Sequence, residues 1–319
     1  MLKGILKSII NRIKGSKDAA LLSDIEHQIM LLGTLHAKLN RQKNEIKSLA
    51  EVEWRAFSQW GEDGIIDWLV ARLPDIPSIF IEFGVGNYWE SNTRMLLQLR
   101  NWRGLVFDGS QENIDSIKNQ NIFWRHTLIA ERAFIDRDNI NGLISHAGFS
   151  GEIGLLSIDI DGNDYWVWEA ISVVNPVVVV CEYNAVFGDL YKLTVPYDKD
   201  FQRTKIHFSN LYFGASLPAL IYLAQHKGYV FAGTNSNGCN AFFIREDRAT
   251  EVLKSLNEIR SFSSSIRESR DIHGQLTFFH GDERPRVINR LPVVDLETNT
   301  TKPLADFGDL YSEKWRGEN

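Results

Sequence analysis

The sequence predicts an α/β fold: a doubly wound, mostly parallel sheet of seven strands that ends in an antiparallel hairpin, behind an N-terminal helical extension. From about residue 55, short apolar runs alternate with segments of helical periodicity, which is typical of βα units. The run VVVVC at 177–181 is apolar throughout, as a strand buried on both faces of a parallel sheet requires. The stretch GYVFAGTNSNGCNAFFIRE at 228–246 contains two strands around a turn rich in Asn, Ser and Gly, so the sheet is expected to close with a hairpin.

The individual elements follow from these periodicities in chain order. The predicted strands cover residues 79–83, 104–108, 122–129, 153–159, 176–183, 229–233 and 240–245. The predicted helices cover residues 61–72, 91–100, 111–119, 136–146, 164–172 and 216–227. The chain is therefore expected to divide into an N-terminal helical extension at 1–54, an α/β domain at 55–250 and a C-terminal extension at 251–319.

Composition and charge narrow the class of protein. The 319 residues carry a net charge of −6, which argues against a nucleic-acid partner. The two cysteines, Cys181 and Cys239, lie in apolar runs at a spacing that fits neither a zinc site nor a disulfide framework, so a cytoplasmic setting is expected. No run of 18 apolar residues is present, so no transmembrane helix is predicted.

The first 17 residues raise the question of a membrane surface. Aliphatic residues recur at helical spacing from Leu2 to Ile13, five basic residues fill other positions, and no acid precedes Asp18. The pattern favours a basic amphipathic helix that lies peripherally on the anionic inner face of a membrane. A helix that packs on the main domain is the alternative.

A second aliphatic stripe occupies residues 24–50. Its members recur at steps of three and four residues from 25 to 39 and resume further on; they are Ile25, Ile29, Leu32, Leu35, Leu39, Ile46 and Leu49. Gln42 and Lys43 interrupt the stripe, which is short for a coiled coil. The pattern predicts a helical hairpin, a homo-oligomer that associates through this segment, or a helix packed on its own domain.

The stretch IFIEFGVGNYWESNT at 79–93 predicts a ligand site where the first strand ends. The strand runs into a tight turn through Gly84 and Gly86, which presents backbone N–H groups to a ligand. A dinucleotide fingerprint would place a third glycine three residues after Gly86, and that residue is Trp89. Asp108 ends the second strand, where an acid can bind both hydroxyls of a ribose. An adenosine with its ribose and no diphosphate describes S-adenosylmethionine (SAM), the predicted cofactor.

Several segments together resemble one family, the FkbM-type and related class I SAM-dependent methyltransferases. They are FSQWGEDGII, FIEFGVGNYWESNT, GLVFDGSQENI, LLSIDIDGNDYWVWEAI, VVVCEYN and YFGASL…GYVFAGTNSNGCNAFF. The resemblance covers roughly residues 55–250. It implies a Rossmann-like class I methyltransferase fold, and proteins of this kind often accompany polysaccharide, glycan or natural-product pathways.

The resemblance also implies roles for residues at the ends of the first two strands. Glu82, Gly84 and Gly86 would line the methionine and ribose part of SAM. Asp108 would hold the ribose, and Ser110 would lie near the adenine. The residue patterns support Gly84, Gly86 and Asp108 independently. A serine directly after a strand, as at Ser110, is also a common helix cap.

Polar residues follow the fourth and fifth strands, in the segments DIDGND and EYN. Asp159 and Asp161 are two residues apart, so they can face the same side of their strand. The same spacing relates Glu182 and Asn184. Oxygen ligands of this kind suit Mg²⁺. The arrangement also resembles that of some class I O-methyltransferases, which bind a metal through acids at these two strand ends. These four residues are therefore a predicted metal site.

A metal-free base is the alternative. Asp161 or Asp164 would accept the proton of an acceptor hydroxyl directly. Asp164 is also suited to cap the helix that it precedes. His207, in the segment TKIHFSN, is the next base candidate, although a single histidine is more often a surface residue.

The predicted activity is transfer of a methyl group from SAM to an oxygen of a sugar or glycan-linked acceptor. A nucleotide-linked oxidoreductase is one alternative, which the absent third glycine and the terminal hairpin disfavour. A non-catalytic scaffold in a membrane-associated glycan assembly is another. The N-terminal helix suggests that role, and the acids at the strand ends disfavour it.

Overall fold

The chain folds around one seven-stranded sheet. The computed structural model describes residues 24–264 and 268–317, so the predicted membrane-binding segment at 1–17 lies outside the described residues. The sheet strands are β1 (Ile79–Phe83), β2 (Arg103–Asp108), β3 (Leu128–Arg132), β4 (Gly151–Ile158), β5 (Val174–Glu182), β7 (Tyr229–Thr234) and β8 (Asn240–Arg245). A second, three-stranded sheet comprises β6 (Leu193–Thr194), β9 (Pro292–Asp295) and β10 (Thr300–Pro303).

Strand order confirms the predicted fold class. The order in the large sheet is β3-β2-β1-β4-β5-β8-β7. The first five strands in this order pair in parallel, whereas β8 lies antiparallel between β5 and β7. This is a Rossmann-like, doubly wound topology with the predicted terminal hairpin. The order reverses at β1 and β4, and the carboxyl ends of those strands therefore border a crevice of the kind in which open α/β sheets bind ligands.

Helices connect and cover the strands. The helices are residues 24–41 (α1), α2 (Glu62–Ala71), α3 (Arg94–Arg100), α4 (Gln111–Asn119), α5 (Asn121–Arg125), α6 (Ile140–His146), α7 (Asp164–Ala170), α8 (Arg203–Ile206), α9 (Leu217–His226), α10 (Glu246–Lys254), α11 (Glu283–Val287) and α12 (Glu313–Gly317). No helix in residues 24–264 or 268–317 is long and apolar enough to cross a membrane.

Two predicted elements begin four or more residues away from where the structure places them. The predicted strand at 122–129 is wrong over its first half, because residues 121–125 form α5 and the strand begins at Leu128. The apolar run there is too short for its period to separate a helical turn from a strand. Helix α6 begins at Ile140 rather than 136, because Asp136 and Asn139 exchange backbone-to-side-chain hydrogen bonds that form a turn ahead of the helix.

The sheet is buried on both faces, as its apolar strands predicted. Along β5, Val178 and Val180 lie in one apolar core, whereas Val179 and Cys181 lie in the other. Adjacent residues of a strand point to opposite faces, so an uninterrupted apolar run contributes to both layers. The core thus fixes β4 and β5 side by side and brings the polar residues that follow them to one edge.

Both terminal segments pack against the α/β unit. Ile46, which follows α1, is buried and donates its backbone N–H to the carbonyl of Ser255. In the C-terminal segment, β9 pairs antiparallel with β6, and Trp315 is buried with its ring 6.3 Å from that of Tyr183. The C-terminal segment therefore lies against the residue that directly follows β5.

Candidate active site

The backbone of Gly84, directly after β1, lies in close contact with the backbone of Asp159, directly after β4. Its φ is +73°, and a Cβ built on it would lie 1.6 Å from the carbonyl oxygen of Asp159. Gly86 also has a positive φ, +53°, but a Cβ there would meet no atom within 4 Å among the described residues. Position 84 therefore requires glycine for close backbone contact, whereas position 86 opens onto free space.

Asp108 ends β2 and holds the glycine turn in place. One carboxylate oxygen accepts the N–H of Gly86 at 2.9 Å, and the other accepts the N–H of Ser110 and the side-chain amide of Asn113, both at 2.8 Å. A carboxylate has about four acceptor positions, so a further donor such as a ribose hydroxyl can still bind. Ser110 caps α4, because its hydroxyl accepts the N–H of Asn113.

Glu82 fixes the segment that follows the glycine turn. Its buried carboxylate accepts hydrogen bonds from the hydroxyls of Ser91 and Thr93 and from the N–H groups of Asn92 and Thr93. Burial raises the pKa of Glu82, although these four hydrogen bonds oppose the shift. The carboxylate therefore holds residues 91–93, which lead directly into α3.

A crevice opens at the ends of β1, β2 and β4. It consists of two adjoining cavities of about 300 and 340 Å³ that share Gly84, Gly86 and Asp159. The first cavity is also lined by Gln59, Glu82, Asn92 and Asn240, among others. The second is lined in addition by Asp108, Phe134, Ile135 and Phe201, among others. We call these two cavities the strand-end crevice.

Three carboxylates meet beside this crevice. One oxygen each of Asp159, Asp161 and Glu182 lies within 4.8 Å of the others. Burial, and then the charge of neighbouring carboxylates, raise the pKa of Asp159 and of Glu182 well above the ordinary values. Asp161 differs, because it is exposed and its carboxylate pairs with Arg203 at 2.6 Å.

Arg203 places one cation at the acid cluster. Its Nε donates to the carbonyl of Asn210 at 2.7 Å, and its guanidinium lies 3.7 Å from the ring centroid of Phe213. Burial opposes the charge, but the carboxylates of Glu182 and Asp161 raise the pKa of Arg203. The guanidinium is thus permanently charged and held in place by segment 203–213, which crosses over the ends of β4 and β5.

A second cavity adjoins the acid cluster on the β5 side. It has a volume of about 350 Å³, and we call it the side cavity. Its charged and polar lining includes Gln59, Glu182, Arg203, Glu268 and Arg284. Gln59 lines both the side cavity and the strand-end crevice. The Asp159–Glu182 carboxyl pair spans the same boundary, because Asp159 lines the crevice and Glu182 lines the side cavity.

Two buried acids at the start of α2 hold the loop that enters the side cavity. Asp63 accepts the N–H groups of residues 56–58 at 2.7–2.8 Å. Glu62 accepts the N–H groups of Trp60 and Gly61, and its other oxygen accepts the amides of Asn235 and Asn240. The backbone is therefore fixed while the side chain of Trp60, 41% exposed, lines the side cavity.

Comparisons with known proteins give only distant similarity. No family model matches the chain, and no curated protein matches it. The N-terminal domain of EvdMO1, solved with SAH bound, shares 10% identity over 59% of this chain and 82% of that chain, with a TM-score of 0.40. A SAM-dependent methyltransferase from Clostridium acetobutylicum shares 11% identity over 52% and 83%, with a TM-score of 0.33. An O-methyltransferase family protein from Burkholderia thailandensis shares 12% identity over 58% of each chain, with a TM-score of 0.34.

Of the remaining predicted site residues, Asn184 lines the side cavity, whereas Asp164 and His207 line neither that cavity nor the strand-end crevice. Asp164 is buried and accepts the N–H groups of Ile160 and Gly162, and burial raises its pKa to about 6. Asn184 is also buried, and its amide donates to the carbonyls of Leu211 and Phe213. His207 contacts the hydroxyl of Ser209 at 2.7 Å, and burial lowers its pKa.

Four residues of the site had no predicted role: Gln59, Trp60, Arg203 and Glu268. The segment SQWGED did carry a signal, because paired acids at a helix start can hold the amides of the preceding loop. Arg203 and Glu268 carried none, since both lie far along the chain from the strands that they approach.

Proposed function

We propose that the protein is a SAM-dependent methyltransferase that methylates an oxygen of a sugar or glycan-linked acceptor. The observation that carries this proposal is the position of the Asp159–Glu182 pair. Asp159 lines the strand-end crevice and Glu182 lines the side cavity. A donor in the first and an acceptor in the second would therefore meet over two carboxyl groups that can take up a proton. In its motifs the chain resembles the FkbM-type enzymes of polysaccharide pathways.

The strand-end crevice fits SAM by its own residues. Asp108 retains acceptor capacity for a ribose hydroxyl after its three hydrogen bonds within the protein. Gly86 leaves open space where any side chain would project. Trp89 stands where a dinucleotide site needs a third glycine for close approach of helix and strand, so the fit to a diphosphate is poorer.

The acid pair would act as the general base. When bound, SAM supplies the methyl group, and the acceptor oxygen forms a bond to that methyl carbon as the carbon–sulfur bond breaks. The acceptor hydroxyl loses its proton in the same event, and the carboxylate of Glu182, which lies beside that of Asp159, accepts it. A raised pKa brings these carboxyl groups closer to neutral pH, where a base is most effective. The Arg203 guanidinium offsets the negative charge of the cluster.

The side cavity fits a hydroxyl-rich acceptor. Glu182 and Glu268 can accept hydrogen bonds from sugar hydroxyls, and Arg203 can donate to sugar oxygens. Trp60 offers an aromatic face of the kind that packs on the apolar side of a sugar ring, with one end apolar and one end polar. Since buried carboxylates fix the backbone of residues 56–61, this wall is formed before the acceptor binds.

A metal-assisted version of the same reaction is the second candidate. The favouring observation is that one carboxylate oxygen of Glu182 is buried and has no hydrogen-bond partner among the described residues. Asp159, Asp161 and Glu182 would supply oxygen ligands to Mg²⁺, which would lower the pKa of the acceptor hydroxyl. Asn184 would not contribute, because its side-chain oxygen already accepts the backbone N–H of Val186 and its NH2 group donates to backbone carbonyls.

Methyl transfer from radiolabelled SAM to a panel of methyl hexopyranosides tests the proposal, with and without EDTA. We expect label in a glycoside product, at a rate that EDTA leaves unchanged if the acid pair is the base. Loss of activity in EDTA with recovery on adding Mg²⁺ would favour the metal-assisted reaction over the acid pair as the base. SAM binding without label in any glycoside would remove the sugar acceptor from the proposal.

A further inference from the structure

Helix α1 is fixed to the protein by one face. Glu26 pairs with Arg94 at 2.7 Å, and the side-chain amide of Asn40 donates to the carbonyl of Val52. Gly33 lies so close to Trp54 that a Cβ there would be 2.9 Å from its ring. These three positions of α1 are seven residues apart, so they define a single inward-facing stripe.

The opposite face of α1 is apolar and exposed. Its exposed aliphatic side chains are Ile25 (43%), Leu31 (58%), Leu32 (59%), Leu35 (54%) and Leu39 (51%). They follow the i, i+3, i+4 and i+7 spacing of a helix that packs against another helix. We call these five residues the α1 stripe. A row of large aliphatic side chains on one rigid helix is a docking surface rather than a scatter of single exposed residues.

We propose that the α1 stripe binds the same stripe of a second copy of this chain, with the two helices antiparallel. Ile25, Leu32 and Leu39 repeat every seven residues with Leu35 between them, which is the seam of a coiled coil. A pair related by a two-fold axis must be self-complementary, so each residue that contacts a second residue is contacted by it in turn.

Charge at the edge of the stripe selects the antiparallel arrangement. Asp24 lies seven residues before Leu31, and Lys38 lies seven residues after it. Both side chains are exposed. With Leu31 opposite the partner's Leu31, Asp24 faces the partner's Lys38, and the reciprocal pair forms by symmetry. In a parallel pair, Asp24 would instead face the partner's aliphatic residues.

Sedimentation equilibrium of the full chain tests the association. Wild type is expected to be a dimer, and the Leu32→Lys, Leu35→Lys double variant a monomer with an unchanged far-ultraviolet circular dichroism spectrum. Gln42→Lys is the matched control, because this exposed residue lies beyond the stripe, and it should remain dimeric. A monomeric wild type would overturn the proposal. If that monomer also bound phosphatidylglycerol vesicles through the α1 stripe, a membrane rather than a second copy would be the partner.

A charge exchange tests the register. Asp24→Lys alone should weaken the dimer roughly tenfold at low salt, because two attractive contacts become repulsive. Lys38→Asp alone should do the same, and the double variant should regain wild-type affinity. Two single variants without effect, or a double variant no tighter than either, would exclude the antiparallel pair. Neither the metal nor the identity of the cofactor affects these outcomes.

Discussion

Glu82 in β1 and Glu182 in β5 differ in how many hydrogen bonds the surrounding protein donates to their carboxylates. Glu82, in β1, accepts four hydrogen bonds from the segment that leads into α3. Glu182, at the end of β5, has an oxygen that is buried without a hydrogen-bond partner among the described residues. Glu82 is therefore committed to structure, whereas Glu182 retains the capacity to accept a proton or a ligand.

The difference follows from the number of donors that each strand end supplies. The segment after β1 turns back into a helix start, and helix starts expose unsatisfied N–H groups. At the ends of β4 and β5 the nearest groups include other carboxylates, and the cation Arg203 pairs with Asp161. Burial, and then the charge of neighbouring carboxylates, raise the pKa of Asp159 and of Glu182. Burial also raises the pKa of Glu82, but there the hydrogen-bond donors oppose the shift.

Substitution of Glu182 should have the largest effect on the reaction. Glu182→Gln keeps the shape of the side chain but removes the proton acceptor, so kcat should fall by about 10²- to 10⁴-fold. Affinity for S-adenosylhomocysteine, measured by calorimetry, should not change. Glu82→Gln is the contrasting variant, and it should lower the melting temperature because an amide cannot accept all four hydrogen bonds. Full turnover by Glu182→Gln would place the base elsewhere.

The two glycines of the crevice should respond in opposite ways to alanine. Gly84→Ala forces a methyl group against the Asp159 carbonyl, so the backbone must move and the melting temperature should fall sharply. Gly86→Ala has room for the methyl group and bears only the left-handed strain, about 1–2 kcal/mol. Its methyl group would instead occupy the crevice and weaken binding of S-adenosylhomocysteine. Equal losses of stability in both variants would contradict this assignment.

The pH profile should reveal the raised pKa of the acid pair. A base must be deprotonated to act, so log(kcat/KM) should rise with pH and level off above an inflection that lies higher than about 4, the ordinary carboxyl value. The same raised pKa makes stability change in the opposite direction to activity as pH rises. Because the folded protein holds this proton more tightly, the pair's contribution to the free energy of unfolding falls as pH rises through the folded pKa. An inflection at the ordinary carboxyl value would contradict the proposed base.

The smallest effect is expected at the side-cavity wall. Trp60→Ala should raise KM for the glycoside acceptor several-fold and leave affinity for S-adenosylhomocysteine unchanged. The reason is that Trp60 lines the side cavity and not the strand-end crevice. Trp124→Ala provides a matched control, since Trp124 is 72% exposed and lines neither the crevice nor the side cavity. A larger change in KM for Trp124→Ala would remove the acceptor from this cavity.

The sheet and its strand ends could be predicted because both depend on local patterns. Apolar runs such as VVVVC specify buried strands, and the two-residue period of a strand places Asp159 and Asp161 on one side. The helix at 121–125 was missed because its three consecutive apolar residues cannot define a period. Arg203 could not be found from sequence. Its approach to Asp161 depends on the contacts that its guanidinium makes with the carbonyl of Asn210 and the ring of Phe213. The same segment binds the Asn184 amide, which the spacing alone had placed with the acids.

Calorimetric titration of the full chain with S-adenosylhomocysteine and, separately, with NAD tests the central claim most directly. The account predicts one binding site per chain for S-adenosylhomocysteine, no heat with NAD, and loss of binding in a folded Asp108→Ala variant. Binding of NAD, or unchanged affinity of the Asp108→Ala variant for S-adenosylhomocysteine, would contradict it.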